Sequence, residues 1–438
     1  MADLVVVGGG PAGVSAALAA ADRGLAVTLI DNSPLLGGQI WRGTNPEPVR
    51  ALGRHERVVV EVSTSVIRAD ARDGEGALLI VRGPAGVRVI DAPALLLATG
   101  ASELSLPFPG WDLPGVVTPG AAQALLKAHG VRIGARVVVA GTGPFLWPVA
   151  SGLASAGVRI VALVEAAPVR AGAAVAAGLA GHPALAAQAA RYLGAVARAR
   201  IPVLSGRVIV AAHGEDRVES VVVARSDGSG RREIAVDAAC VGWGFVPAVE
   251  IARGLGCREV AHPVRPISTV AVDAAQRTSV PGVLAAGEIT GIGGAVKAAA
   301  EGTIAGAVAA GAEPPRRVVT VRRRAARSAA AFDRAYPIPA GWLDGLEPAT
   351  VVCRCEDVTW QQVTDVIADG IADVRAIKGQ VRCGMGWCQG RICGPALQLA
   401  TAARAGRPVD AVGDLATRPF AIAPTVGELA DLGAFRPR

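Results

Sequence analysis

The sequence predicts an α/β fold of two Rossmann-like dinucleotide-binding domains followed by a small helical domain, and three features carry that prediction. One pattern occurs twice, starting at Leu4 and at Arg136: an apolar run, a glycine cluster, an alanine-rich helical stretch, a second apolar run, then an acid. Hydrophobic residues make up 51% of the chain and aromatics only 3%. Ala, Val, Leu and Gly dominate, the mixture that packs parallel strands against closely approaching helices rather than filling a β-sandwich. Five of the seven cysteines fall between Cys353 and Cys393, a crowding of thiols that a metal centre needs.

At 438 residues, and with roughly 150 residues per domain, the chain holds two or three domains. Composition and pattern divide it into 1–118, the first part of the first nucleotide-binding domain; 119–248, the second; 249–312, a return to the first; 313–348, a basic connector; 349–406, the cysteine domain; and 407–438, a tail. The net charge of +7, mostly an arginine excess, suits anionic cofactors and an acidic partner. The sequence has no aromatic-and-basic platform of the kind nucleic acid requires. Met1-Ala2-Asp3 runs directly into an apolar strand, and no 18 apolar residues follow one another; a soluble, cytoplasmic protein without a transmembrane segment is expected. Cysteines at short spacing in such a chain point to metal or redox use rather than disulfides. Cys240 and Cys257, in apolar surroundings, read as packing residues.

The elements follow in order. Leu4–Val7 is a strand; Gly8-Gly9-Gly10-Pro11-Ala12-Gly13 opens a helix to about Arg23, stopped by Gly24; Val27–Ile30 is the next strand, ending at Asp31. Strands are expected at Val58–Val62, Ala77–Val81 and Val87–Leu97, with Gly282–Ala286 returning to the same domain. The second unit runs Arg136–Ala140, Gly141-Thr142-Gly143-Pro144-Phe145-Leu146, a helix to about Ala156, then Arg159–Val164 and Glu165. After Pro314-Pro315 comes a basic helix carrying Arg316, Arg317, Arg322, Arg323, Arg324 and Arg327, with a solvated face as its simplest role. In the last domain Thr359 and Gln362 form a capping-box pair, Gly370 stops that helix, a short helix starts near Val374, and a final one starts near Cys393.

The first glycine cluster follows a strand, opens a helix and is answered by Asp31, 23 residues after Gly8. Gly8 permits the turn, Gly10 lets pyrophosphate approach the backbone, and Gly13 lets helix and strand pack closely. Pro11 and Ala12 lie in the first helical turn, whose amides and dipole favour phosphate. Asp31 suits ribose hydroxyls. This fingerprint serves FAD and NAD alike. Gly37-Gly38-Gln39, Ala98-Thr99-Gly100 and Val283-Leu284-Ala285-Ala286-Gly287-Glu288 stand in the order of two-dinucleotide-binding-domain flavoproteins, which the chain thereby resembles. The resemblance implies FAD at the first site, with Gly38, Gln39, Thr99, Gly100 and Gly287 around it. It also implies an acid on the ribityl hydroxyls, here Glu288 in place of the usual Asp. A helix from Gly294 and Ala295 would aim its positive end at the flavin.

In the second cluster Gly141 and Gly143 are kept, but Leu146 occupies the third glycine position, where its bulk would hold the helix off the strand or crowd phosphates. Glu165 would favour NAD over NADP. Working NAD(H) binding, another nucleotide and a relic site are the alternatives.

Cys353 and Cys355, then Cys388 after 32 intervening residues and Cys393 after four more, offer four thiolates. Spacing alone fits zinc or [2Fe–2S] equally; a flavin in the same chain favours the redox-active cluster, whose charge Arg354, Arg382 and Arg391 would offset. Cys353-Arg354-Cys355-Glu356-Asp357-Val358-Thr359 with Arg382-Cys383-Gly384-Met385-Gly386-Trp387-Cys388-Gln389-Gly390-Arg391-Ile392-Cys393 resembles the bacterioferritin-associated-ferredoxin-like [2Fe–2S] domain. That domain follows an FAD fold in the alpha subunits of opine oxidases, hydrogen cyanide synthase and heteromeric proline or hydroxyproline dehydrogenases. Residues 37–42, 106–111 and 287–291 also match them. The resemblance implies that Cys383 is a spare thiol and that the chain is an oxidoreductase subunit passing electrons between FAD and [2Fe–2S]. The amine would be oxidised in a D-amino-acid-oxidase-like beta subunit with its own flavin, and a small iron–sulfur gamma subunit is a further candidate partner. No catalytic residue is assigned: the five histidines stand in no motif, and no CxxC pair lies in the second nucleotide domain. An NADH-dependent ferredoxin-type reductase and an iron–sulfur scaffold or ferritin-associated partner are the competing readings.

Overall fold

A computed structural model describes residues 2–262, 265–339 and 341–432; the last six residues of the expected tail, position 340 of the connector and positions 263–264 lie outside the described residues. The first sheet has the order Val283–Ala285, Leu95–Leu97, Leu4–Val7, Val27–Ile30, Val58–Glu61, all parallel. Leu4, Val5 and Val6 are fully buried, as an uninterrupted apolar run in a central strand covered on both faces must be. The expected strand Val87–Leu97 is two elements. Gly86–Ala92 closes an antiparallel meander with Ser65–Ala71 and Ala77–Gly83, and Leu95–Leu97 joins the parallel sheet. Pro93 divides them because it has no N–H to continue a ladder.

Helix Pro11–Ala21 packs along helix Gly294–Ala309. The crossing depends on small residues: a Cβ on Gly302 would stand 2.0 Å from the Ala12 carbonyl oxygen, and one on Gly306 2.2 Å from that of Ala16. The helix that returns from the far end of the sequence is thus held against the phosphate helix.

The second sheet repeats the plan, in the order Val203–Ser205, Arg159–Glu165, Arg136–Gly141, Ala238–Gly242, Val116–Val117, again all parallel. The connector contains helix Arg316–Ala335, and it is docked. Its small residues Ala325, Ser328 and Ala331 are buried, and Ser328 Oγ donates to the Gly178 carbonyl at 2.7 Å. Arg316, Arg317, Arg323, Arg324 and Arg327 face solvent.

The C-terminal unit carries strand Val351–Cys353 and helices Trp360–Ala368, Val374–Val381 and Cys393–Ala405. The capping box of Thr359 with Gln362 is formed, and Trp360, Val363, Val374, Ile377 and Leu397 build the core. This unit sits against both nucleotide units. Arg391 pairs with Glu250 and Arg253 with Asp414, each at 3.0 Å, on the first. Residues 104–117, expected in the first unit, pack instead with the second sheet, whose edge strand is Val116–Val117; from there Trp111 Nε1 donates to the Val351 carbonyl at 2.5 Å, and the Arg354 guanidinium lies 3.9 Å over the Trp111 ring. Among the described residues no helix is long and apolar enough to cross a membrane.

Candidate cofactor sites

The first cradle is built at the ends of Leu4–Val7 and Val27–Ile30. Gly8 has φ of +109°, and a Cβ on Gly13 would stand 1.8 Å from the Gly8 carbonyl oxygen, so only glycine lets the helix start there. Gly10 faces open space, with Gly38 Cα the nearest atom to a Cβ built on it, at 3.9 Å. That is the room a pyrophosphate needs. Gly37 N donates to the Gly9 carbonyl at 2.8 Å, which brings Gly38 and Gln39 over the loop. Thr99 donates its hydroxyl to the Ala248 carbonyl at 2.7 Å, and Gly100 follows with φ of +76°. Asp31 is buried; its carboxylate accepts from Gly9 N at 2.5 Å and Ser33 N at 2.7 Å. Burial raises its pKa, against the pull of those two bonds.

Glu288 makes a bond that the resemblance does not imply. Its extra methylene lets the carboxylate turn back onto the head of helix Gly294–Ala309, accepting from Gly293 N at 2.9 Å and Gly294 N at 2.7 Å. Burial raises its pKa, while those amides and Lys297 oppose the rise. One turn on, Lys297 pairs with the fully buried Glu301 at 3.0 Å, which also accepts from Gly287 N, Thr290 Oγ1 and Arg322. Gly287 and Ala295 thus belong to a firmly tied corner. The open glycine cradle and the buried acid beside it fit FAD.

The second cradle differs. Gly141 crosses Gly242 so closely that a Cβ would stand 1.7 Å from the Gly242 carbonyl oxygen, and Gly143 has φ of +109°. The helix begins only at Leu146, whose side chain is buried in the core between helix and sheet. In the first unit the helix starts three residues after the leading glycine, and here five. Leu146 therefore does not crowd the phosphate position; it delays the helical turn that would have donated to phosphate. Glu165 is buried, and its carboxylate accepts from Gly143 N at 3.1 Å and Ala167 N at 3.0 Å; burial pushes its pKa up to about 7. The Tyr336 hydroxyl, beyond the connector helix, is pushed up to about 12 by burial and by the charge of Glu165, so the connector reaches this site.

The cysteines converge. Cys353 ends a strand, Cys393 begins a helix, and Cys383 follows helix Val374–Val381 after Arg382, which caps it with φ of +63°. All three are buried, and their Sγ atoms lie within 4.8 Å of one another. Cys355 is exposed and Cys388 half-buried, both as free thiols, outside that buried group. Cys353, Cys355, Cys388 and Cys393 together line a cavity of about 190 Å³ closed on the other side by Phe108, Trp111, Val117 and Val241 of the second nucleotide unit. Thiolates this close cannot all ionise unaided. Hydrogen bonds from Cys383 and Cys393 hold Cys353 well below the usual thiol range, whereas three neighbouring sulfurs drive Cys393 above it. Such a nest calls for a cation, and its donors fit [2Fe–2S].

The three arginines expected to balance the cluster are engaged: Arg354 on Trp111, Arg382 with Glu356 at 2.8 Å, Arg391 with Glu250. Sequence reasoning missed Arg418, from the tail, whose guanidinium donates to the Leu415 carbonyl at 3.0 Å and feels the charge of Cys388 and Cys393. It also missed the role of Trp111 as a wall of the cavity.

A doubled parallel sheet with a dinucleotide cradle, joined to a nest of cysteines, defines a flavin-dependent oxidoreductase with an iron–sulfur domain. Comparison with known proteins agrees. Residues 2–302 match the pyridine nucleotide-disulphide oxidoreductase family and residues 351–399 the BFD-like [2Fe–2S] binding domain. One subunit of opine oxidase from Rhizobium meliloti is 34% identical over 98% of each chain. Hydrogen cyanide synthase subunit HcnB of Pseudomonas protegens is 31% identical over 89% of each. Among solved structures, L-proline dehydrogenase from P. horikoshii superposes with a TM-score of 0.72 at 22% identity, covering 98% of this chain and 79% of that one, a likeness of fold. The chain belongs to the pyridine nucleotide-disulphide oxidoreductase family, with a BFD-like [2Fe–2S] domain at its C-terminal side.

Proposed function

We propose that the chain is the electron-transfer subunit of a heteromeric flavin-dependent dehydrogenase of amino acids or opines, with the amine oxidised in a D-amino-acid-oxidase-like beta subunit. FAD, when bound, accepts two electrons together and releases them singly, which suits a one-electron cluster beside it. The observation that carries the reading is the seam between the cysteine unit and the nucleotide units. There the four predicted ligands share one cavity with the apolar wall of the flavoprotein fold. The naming of the curated relatives as subunits of opine oxidase and hydrogen cyanide synthase supports a heteromer. So does Trp387, which is 97% exposed immediately before Cys388. An uncovered tryptophan is a common anchor of a protein interface.

The test is purification of this chain alone and with a co-expressed D-amino-acid-oxidase-like chain, each assayed with amine substrates and an artificial dye. Dye reduction is expected only in the complex. Amine turnover by the isolated chain would refute the division of labour. The competing NADH reductase needs a working second nucleotide site, and the delayed helix, the self-bonded Glu165 and the nearby Tyr336 weigh against it.

A further inference from the structure

Cys383 is the fifth thiol of the nest and has no part in the four-ligand reading. It is fully buried and lies off the cavity wall, behind Cys353 and Cys393. Yet its sulfur stands with theirs in one group, all within 4.8 Å. A di-iron, di-sulfide core takes two thiolates on each iron. With metal–sulfur bonds near ~2.3 Å in a tetrahedron, two thiolates on one metal stand about 4 Å apart. Cys355 and Cys388, the two less buried thiols on the cavity wall, would form one such pair at the outer edge. The other iron needs two sulfurs, and the buried group offers three.

We propose that Cys383 is a reserve ligand of the buried iron, able to replace either Cys353 or Cys393. The proposal rests on the [2Fe–2S] reading of the nest. When a buried ligand is lost, the Cys383 thiol gives its proton to water and its sulfur forms the iron–sulfur bond left open. A departing thiolate takes up that proton, so one S–H and one iron–thiolate bond break and one of each forms; in C353A and C393A no thiolate departs and the proton stays with water, and in neither case does an electron change hands. The outer edge has no third sulfur of this kind, so Cys355 has no substitute.

The test compares wild type, C383A, C353A, C393A, C355A and the doubles C353A/C383A and C383A/C393A, all purified anaerobically. Iron and sulfide per chain and the visible and EPR spectra are measured, with FAD content and circular dichroism reporting the fold. C383A should match wild type. C393A and C353A should keep at least about half of the iron with an altered spectrum, whereas the doubles and C355A should lose about tenfold. A second measurement needs no ligand variant: a chelator should strip iron from C383A at least about threefold faster than from wild type, because transient ligand loss is no longer rescued. Iron absent from C393A and C353A at full FAD content, iron absent from C383A, or equal stripping rates would each overturn the proposal. Wild type holding zinc, or no iron and sulfide, would instead sink the cluster reading on which it stands.

Discussion

Glu165 stands where the acid of a dinucleotide site belongs, yet its carboxylate accepts from the amides of its own loop. Burial raises its pKa from 4.5 to about 7, so between those values the folded chain holds a proton that the unfolded chain has released. The folded state is then favoured at low pH, and stability falls as pH rises from about 4.5 to 7, by on the order of 3 kcal/mol at most. Glu165→Gln should remove this part of the slope. In urea unfolding at pH 5 and pH 8, the variant should gain on wild type at the higher pH, and a constant difference would show that Glu165 does not titrate there. Trp387 is a second test at this scale. Trp387→Ala should leave iron and FAD content unchanged and weaken partner binding about thirtyfold, the loss of an interface anchor, read by titration of the two purified chains. The turn at Gly8, the open approach at Gly10, the buried Asp31 and the meeting of Cys353 with Cys393 were legible because such features fix residue type and spacing, whereas the place of Cys383 beside those two thiols was not. Trp111 and Arg418 were not: Trp111 bonds to Val351, 240 positions away, and Arg418 lies in a tail without a motif.

The two nucleotide helices show how one side chain sets an element. Gly13 lets helix Pro11–Ala21 begin against the Gly8 carbonyl, while Leu146, too large for that position, is buried in the core and postpones the second helix. The glycine pattern foretold that the units would differ, but the difference lies in where the helix starts. The split of Val87–Leu97 at Pro93 was also written in the sequence, though the apolar run on both sides concealed it. Pairing between strands far apart in sequence, which assigns each half to its sheet, leaves no local mark. Helix Gly294–Ala309 gives the clearest test at this level. In Gly302→Ala the new methyl would stand 2.0 Å from a backbone oxygen that cannot swing away. The two helices must part, which should cost about 2 kcal/mol and lower FAD content at purification. Gly152→Ala, in a helix where a Cβ meets nothing within 4 Å, should instead stabilise by about 0.5–1 kcal/mol. Equal urea midpoints for the two variants would contradict the close crossing.

At the scale of the whole molecule, the cysteine unit is held against both flavoprotein units. Arg253–Asp414 and Arg391–Glu250 fasten it to the first, and the Arg354–Trp111 stack fastens it to the second. None of these three contacts could be read from the cysteine spacing, which says nothing of what closes the nest. The consequence is a division between the flavin and the nest that can be tested by emptying one of them. Cys355 and Cys388 lie at the outer edge, outside the core residues that support the fold, so C355A/C388A should fold with wild-type FAD content and no iron. Mixed with an amine substrate and the partner subunit, this variant should still bleach its flavin absorbance in single turnover. Steady reduction of a one-electron acceptor should fall at least about tenfold, about 1.4 kcal/mol on the barrier. If acceptor reduction is unchanged with iron absent, electrons leave by another route and the nest has only a structural part; if bleaching also stops, the cysteine unit is needed to seat the partner, and Trp387→Ala should then reproduce the defect.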